Sequence, residues 1–205
     1  MRSGLRTVFG VAMATALAWL PFATKAQDAP SPDAPAIDQN VFVLGGPFQS
    51  EWVWETTVFW RDHYEDNFFA GVGYQNFIYH SDWGLKLGTE VGLGVRAGDR
   101  TSAELWTGVV ARYDGLHLGD INISPSISAG LSMVTGAIGV EAERANAIDT
   151  SVPVLFYMGP EIAISHASNP NIEVLARIHH RSGGYGIIAP IDGSNAATLG
   201  LRFKF

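Results

Sequence analysis

TLGLRFKF, residues 198–205, alternates without a break: Leu199, Leu201, Phe203 and Phe205 fall on one face, Thr198, Gly200, Arg202 and Lys204 on the other. A period of two belongs to a strand, whose successive side chains point to opposite sides of the sheet. One face is wholly apolar and the other carries two cations. A strand of that kind separates two environments, and the rest of the chain tells which two.

At the other terminus, MRSGLRTVFGVAMATALAWLPFATKA has Arg2 and Arg6, an apolar run from Val8 to Ala23, and the small residues Thr24 and Ala26 around a cut after residue 26. Residues 1–26 are expected to be a cleavable export signal; the run is short for a retained transmembrane helix and Pro21 interrupts it. An export signal and an alternating final strand that ends on phenylalanine together resemble the signature of bacterial outer-membrane β-barrels. The competing expectation is an edge strand of a periplasmic sandwich.

A length of 205 residues allows one domain, and 47% hydrophobic content with 16% charged residues and no cysteine excludes a disordered chain or a disulfide-stapled one. Loss of residues 1–26 removes Arg2, Arg6 and Lys25 but no acid, and takes the formal charge from −7 to −10. So acidic a protein is no nucleic-acid binder. Residues 27–40, which include QDAPSPDAPAID, have little to bury and are expected to be a flexible leader, which leaves 41–205 for the barrel.

No helical span survives in the mature part, so a membrane crossing has to be made by strands. Eight segments fit: 52–60, 67–77, 82–94, 101–113, 120–132, 152–165, 171–182 and 196–205. The predicted fold class is therefore all-β, an eight-stranded antiparallel transmembrane β-barrel, with VFVLGG (41–46) placed before it. Within 82–94, Trp83, Leu85, Leu87, Val91 and Leu93 oppose Gly84, Lys86, Gly88, Glu90 and Gly92. Apolar faces meet lipid. On the polar faces Lys86, Glu90, Glu104, Arg112, Glu161, Glu173, Arg177 and Arg202 are expected to pair in an interior filled by side chains, without a pore. The six Trp and six Tyr suit interfacial girdles. Even strand number puts both termini on the periplasmic side, with 61–66, 95–100, 133–151 and 183–195 as outer loops.

Strand 171–182 then runs outward and delivers RIHHRS to the outer rim. Parity sends Glu173, Arg177, His179 and Arg181 inward, and His180 and Ser182 outward with Ile172, Val174, Ala176 and Ile178. Residues i and i+2 stand roughly 6.5–7 Å apart on one face, so an imidazole can lean to a serine hydroxyl and act as its base.

The export signal, the strand pattern, His180-Arg181-Ser182 at the outer end of the penultimate strand and the final LGLRFKF resemble the outer-membrane lipid A 3-O-deacylases and their acyloxyacyl hydrolase-like relatives. That resemblance implies a serine esterase of lipopolysaccharide in the outer membrane that needs no cofactor and no metal. Ser182 would be the nucleophile and His180 its base. Two positions depart from the family pattern. Gly183 stands where an oxyanion-holding asparagine usually follows the serine, and Ser194 stands where the orienting glutamate is expected. Asp192 is the substitute expected for the orienting acid, and Gly183, Gly184 and Asn195 are the oxyanion candidates.

The alternative is a non-catalytic small barrel with a structural, adhesive or lipid-binding role. DHYED (62–66) reads as a solvated loop before a divalent-ion site, and His166 as a turn residue without a ligand partner near in sequence. No oligomeric state follows from the sequence.

Overall fold

The computed structural model describes residues 38–50 and 64–205. The proposed signal, most of the leader and the segment WVWETTVFW lie outside the described residues. The chain runs through β1 (Gln39–Gln49), β2 (Tyr64–His80), β3 (Leu85–Ala97), β4 (Thr101–Tyr113), a short β5 (Leu116–Leu118), β6 (Ile121–Val134), helix α1 (Gly139–Ala147), β7 (Val154–His166), β8 (Asn169–Ser182) and β9 (Asp192–Lys204). Each long strand pairs antiparallel with the next, and β1 pairs with β9. The ring is closed. Excluding β5, which pairs only with β6, it is an eight-stranded antiparallel β-barrel, as the alternation predicts.

The first strand is not where the periodicity placed it. Residues 41–46 are no pre-barrel segment: they lie within β1, hydrogen-bonded to β2 on one side and β9 on the other. Gln39 and Asn40, assigned to the leader, belong to the same strand. Two consecutive glycines and Pro47 blur the alternation, yet Phe42, Leu44 and Phe48 all point into the core. The topology is unaffected, because β1 replaces one outward-running strand with another.

The start of β1 and the end of β9 meet at one end, where Phe205 N–H donates to Gln39 O at 2.9 Å. The short turns 81–84 and 167–168 lie at that end with β5. The opposite end carries Ser50, 98–100, 135–153 and 183–191. Strand burial alternates: Val43, Phe68, Leu93 and Val174 are exposed on the outer wall, whereas their neighbours along each strand are buried. An apolar outer wall around a polar interior is the arrangement a bilayer demands of a closed sheet.

The interior is packed with charge. Arg177 bridges Glu90 at 2.7 Å and Glu161 at 2.8 Å, Arg202 bridges Glu161 and Glu173, and Arg112 joins Glu173 at 2.6 Å. Lys204 reaches Glu173, and Lys86 pairs with Asp114, whose carboxyl Arg112 also contacts at 2.6 Å. Although burial opposes it, the Arg112 and Lys86 cations hold Asp114, in the turn after β4, well below the usual carboxylate range. Nearer the loop end, Glu104 takes His179 at 2.8 Å and Ser132 at 2.5 Å. All eight charged residues expected to pair in the lumen do so.

Trp106 and Tyr157 are exceptions to the girdle expectation. Both are buried, and Trp106 Nε1 and Tyr157 OH donate to Glu90 at 2.9 and 3.0 Å. The glycines opposite make room for such rings; a Cβ at Gly92 would overlap the Trp106 indole.

One element is absent from the sequence reading. The segment expected as an outer loop holds α1, whose Glu141 is fully buried between Arg96 at 2.6 Å and Arg181 at 2.5 Å. These ion pairs seat the helix in the loop-end mouth of the barrel, with Ile138 in the main core.

Candidate active site

Strand β8 separates its two adjacent histidines. His179 turns inward, stacks on Phe69 at 4.3 Å between centroids and bonds Glu104. His180 turns to the outer wall, across from Met158 on β7 and Asn195 on β9. Ser182, two residues further on, lines the same groove.

The outward direction agrees with parity, but the surroundings are not open lipid. His180 is only 6% exposed. Residues 183–191 fold back over the barrel end: Ala189 and Ile191 pack with Ala145, Val152 and Leu155, and Gly184 lies against the Phe156 ring. The result is a groove of about 590 Å³ walled by Phe156, Met158, Tyr185, Pro190 and Ile191, with His180, Ser182 and Asp192 on its lining. An apolar trough with a few polar groups gathered in it is the usual form of a binding site.

By strict alternation Asp192 should share a face with Ser194, which points inward and accepts from Arg96 at 2.8 Å. It does not. Arg181 pairs with Ser194 and Ser182 pairs with Asp192, so Gly193 is an extra residue bulged out of the β9 ladder. A bulge resets the parity of the residues beyond it. Asp192 is thereby brought to the His180 side, with its Oδ1 at 4.0 Å from Nδ1. Only glycine fits at the bulge, because a Cβ at 193 would stand 2.6 Å from Arg181 O and 2.8 Å from Leu155 Cδ1.

The direct partner of His180 is another residue. Asn195 Oδ1 lies 2.6 Å from Nδ1. An amide oxygen accepts, so Nδ1 carries the proton and the Nε2 lone pair is left as the basic atom. Asn195, one of the oxyanion candidates, thus sets its Oδ1 on the imidazole, and the Asp192 carboxyl stands at longer range.

Of the glycine candidates, Gly183 has its N–H already in use. Its N–H donates to Ile191 O at 2.9 Å, and its carbonyl accepts from Ile188 N–H at 2.9 Å. That amide is committed to the hairpin. A Cβ there would overlap Ala189 O, which is why the asparagine of the family pattern has no room. Gly184, at φ +63° in the left-handed region, lines the groove next to Ser182 and remains the oxyanion candidate.

Arg144 and Glu141 of α1, both near the site, escaped the sequence reading, since neither belongs to a recognisable motif. Among the described residues no cluster of His, Asp or Glu has the makings of a metal site. Tyr64, Glu65 and Asp66 of DHYED belong to β2, while Asp62 and His63 lie outside the described residues. His166 holds the Ser168 hydroxyl at 2.8 Å in the β7–β8 turn.

No known family model matches the chain, and no curated protein matches it by sequence. Among solved structures it is similar to the outer membrane enzyme PagL, at 16% identity and a TM-score of 0.54, covering 80% of this chain and 98% of that one. It is also similar to Neisserial surface protein A (12% identity, TM-score 0.49, 83% of this chain and 98% of that one) and to the N-terminal β-barrel domain of Pseudomonas aeruginosa OprF (12%, 0.46, 82% and 97%). At such identities a likeness speaks for architecture and not for chemistry. What the chain shares with PagL is the fold, the closed eight-stranded barrel of outer-membrane proteins.

Proposed function

We propose that this protein is an outer-membrane serine esterase that removes an acyl chain from lipid A, with Ser182 as nucleophile and His180 as base. The observation that carries the reading is the Asn195-oriented imidazole sharing an apolar, outward-facing groove with Ser182 at the loop end of the barrel. With the N-terminus exported and the termini periplasmic, that end faces the outer leaflet, where lipid A esters lie.

In the proposed reaction, Ser182 Oγ attacks the ester carbonyl carbon while His180 Nε2 takes the hydroxyl proton. The tetrahedral oxyanion is met by the Gly184 N–H. Collapse expels the sugar alkoxide, which receives the proton from His180, and leaves an acyl-serine. Water, deprotonated by His180, then releases the fatty acid and restores Ser182. Asn195 keeps the reactive tautomer through each step. The Asp192 carboxylate at 4.0 Å favours the transient imidazolium.

Masses of lipid A from cells expressing wild type, Ser182→Ala and Asp192→Ala test this. Wild type is expected to yield lipid A short of one acyl chain and Ser182→Ala to leave it intact; identical lipid A in all three leaves a non-catalytic barrel. Between the two orienting candidates, Asn195→Leu is expected to lower the hydrolysis rate about 100-fold or more, because the tautomer is no longer held. Asp192→Asn is expected to cost about tenfold, as loss of a longer-range charge. Initial rates on a fluorogenic acyl ester in detergent compare them. The reverse order would make Asp192 the orienting group.

A further inference from the structure

We infer that Arg144 of helix α1 is a positioning residue for the esterase site: it clamps the Gly193 bulge and thereby holds Asp192 beside His180. A bulge takes backbone carbonyls out of the strand ladder, and buried carbonyls without a donor are costly. Arg144 supplies the donors. Its Nη1 donates to Asp192 O at 2.9 Å and to Gly193 O at 3.3 Å, and Nη2 donates to Ser50 O at 2.9 Å. The same Nη1 is 3.7 Å from Asp192 Oδ2.

A guanidinium suits this task because its fixed fork reaches three carbonyls at once. Without it the bulged residue gains by rejoining the ladder, and a one-residue slip would return Asp192 to the inner face beside Ser194. The helix that brings Arg144 is itself fixed by Glu141 between Arg96 and Arg181. Arg181 lies on β8 between the two site residues. The mouth of the barrel and the outer groove are thus joined by one helix, which touches the bulge through Arg144 and the interior through Glu141.

The inference rests on reading His180 as the site base, and its test does not need turnover. Around His180 stand Asp192 and Asn195 from β9, Ser182 on its own strand and the uncharged Met158 from β7, with His179 on the opposite face and Arg144 behind Asp192. The titration midpoint of His180 is read by NMR on histidine-labelled barrel in micelles, its signal assigned by loss in His180→Gln. Wild type, Arg144→Ala, Arg144→Gln, Arg144→Lys, Asp192→Asn and the Arg144→Ala/Asp192→Asn double variant are compared. Heat-modifiable migration selects variants that keep the barrel, and Arg144→Gln serves if the alanine variant does not.

If Arg144 acts through Asp192, Arg144→Ala moves the midpoint with the same sign as Asp192→Asn, the double variant moves it no further than Asp192→Asn alone, and Arg144→Lys recovers part of the difference. A shift of opposite sign that adds to that of Asp192→Asn is what loss of a bare positive charge would give, and it overturns the inference, as does no shift. In the esterase assay the expected companion is a kcat lowered by Arg144→Ala no further than the about tenfold of Asp192→Asn, with KM within about twofold. A wild type without ester activity would end the esterase reading and leave the titration to decide the role of Arg144.

Discussion

Ser182→Ala and His180→Gln are each expected to lower ester hydrolysis by about 1000-fold or more, and the double variant to fall no further than the worse single one. A nucleophile and its base act as a unit, so removing either removes the proton transfer that makes the other useful. Fatty acid released from lipopolysaccharide in vesicles measures the rates. Heat-modifiable migration has to be unchanged, and that is expected: both side chains lie on the groove lining and neither takes part in the interior ion pairs. Additive losses, or a Ser182→Ala variant within about tenfold of wild type, would show that hydrolysis does not pass through this pair.

Arg177→Met is expected to cost the barrel about 3–5 kcal/mol, the range for stranding a buried charge. Arg177 donates Nη1 and Nη2 to the two oxygens of Glu90 at 2.7 and 3.0 Å, Nε to Glu161 at 2.9 Å and Nη1 to Tyr157 OH at 2.9 Å. Removing the guanidinium leaves two carboxylates facing each other without their shared cation. Glu90 keeps donors from Gln75, Trp106, Ser128 and Tyr157, so neutralising it is the natural rescue. Arg177→Met/Glu90→Gln should therefore be more stable than Arg177→Met alone. Denaturant titration in micelles reads both, and an Arg177→Met variant within about 1 kcal/mol of wild type would mean that hydrogen bonds, not charge pairing, hold this layer together.

Much of the barrel was legible because a membrane strand has two solvents, one on each face, and writes both into its residues. In β3, in β4 and over 198–204 of β9 the alternation names the outward residues and the buried charges alike. It failed at β1, where Gly45, Gly46 and Pro47 interrupt the pattern. It also failed at α1, which buries only Glu141 and Ala145 and has no apolar stripe to announce a helix. That helix is held by Arg96 and Arg181 on other strands, and pairing across so many residues leaves no local trace.

The candidate site divides along the same line. The amino-acid sequence by itself determined that His180 and Ser182 share the outward face of β8 and that His179 does not, because parity on one strand is a local property. Which residue stands against His180 was decided only by the tertiary structure. Cross-strand register puts Asn195 opposite it, the Gly193 bulge turns Asp192 to the same side, and the hairpin takes the Gly183 amide for Ile191. Register, bulge and hairpin closure depend on two segments meeting, and no reading of either segment alone contains that meeting.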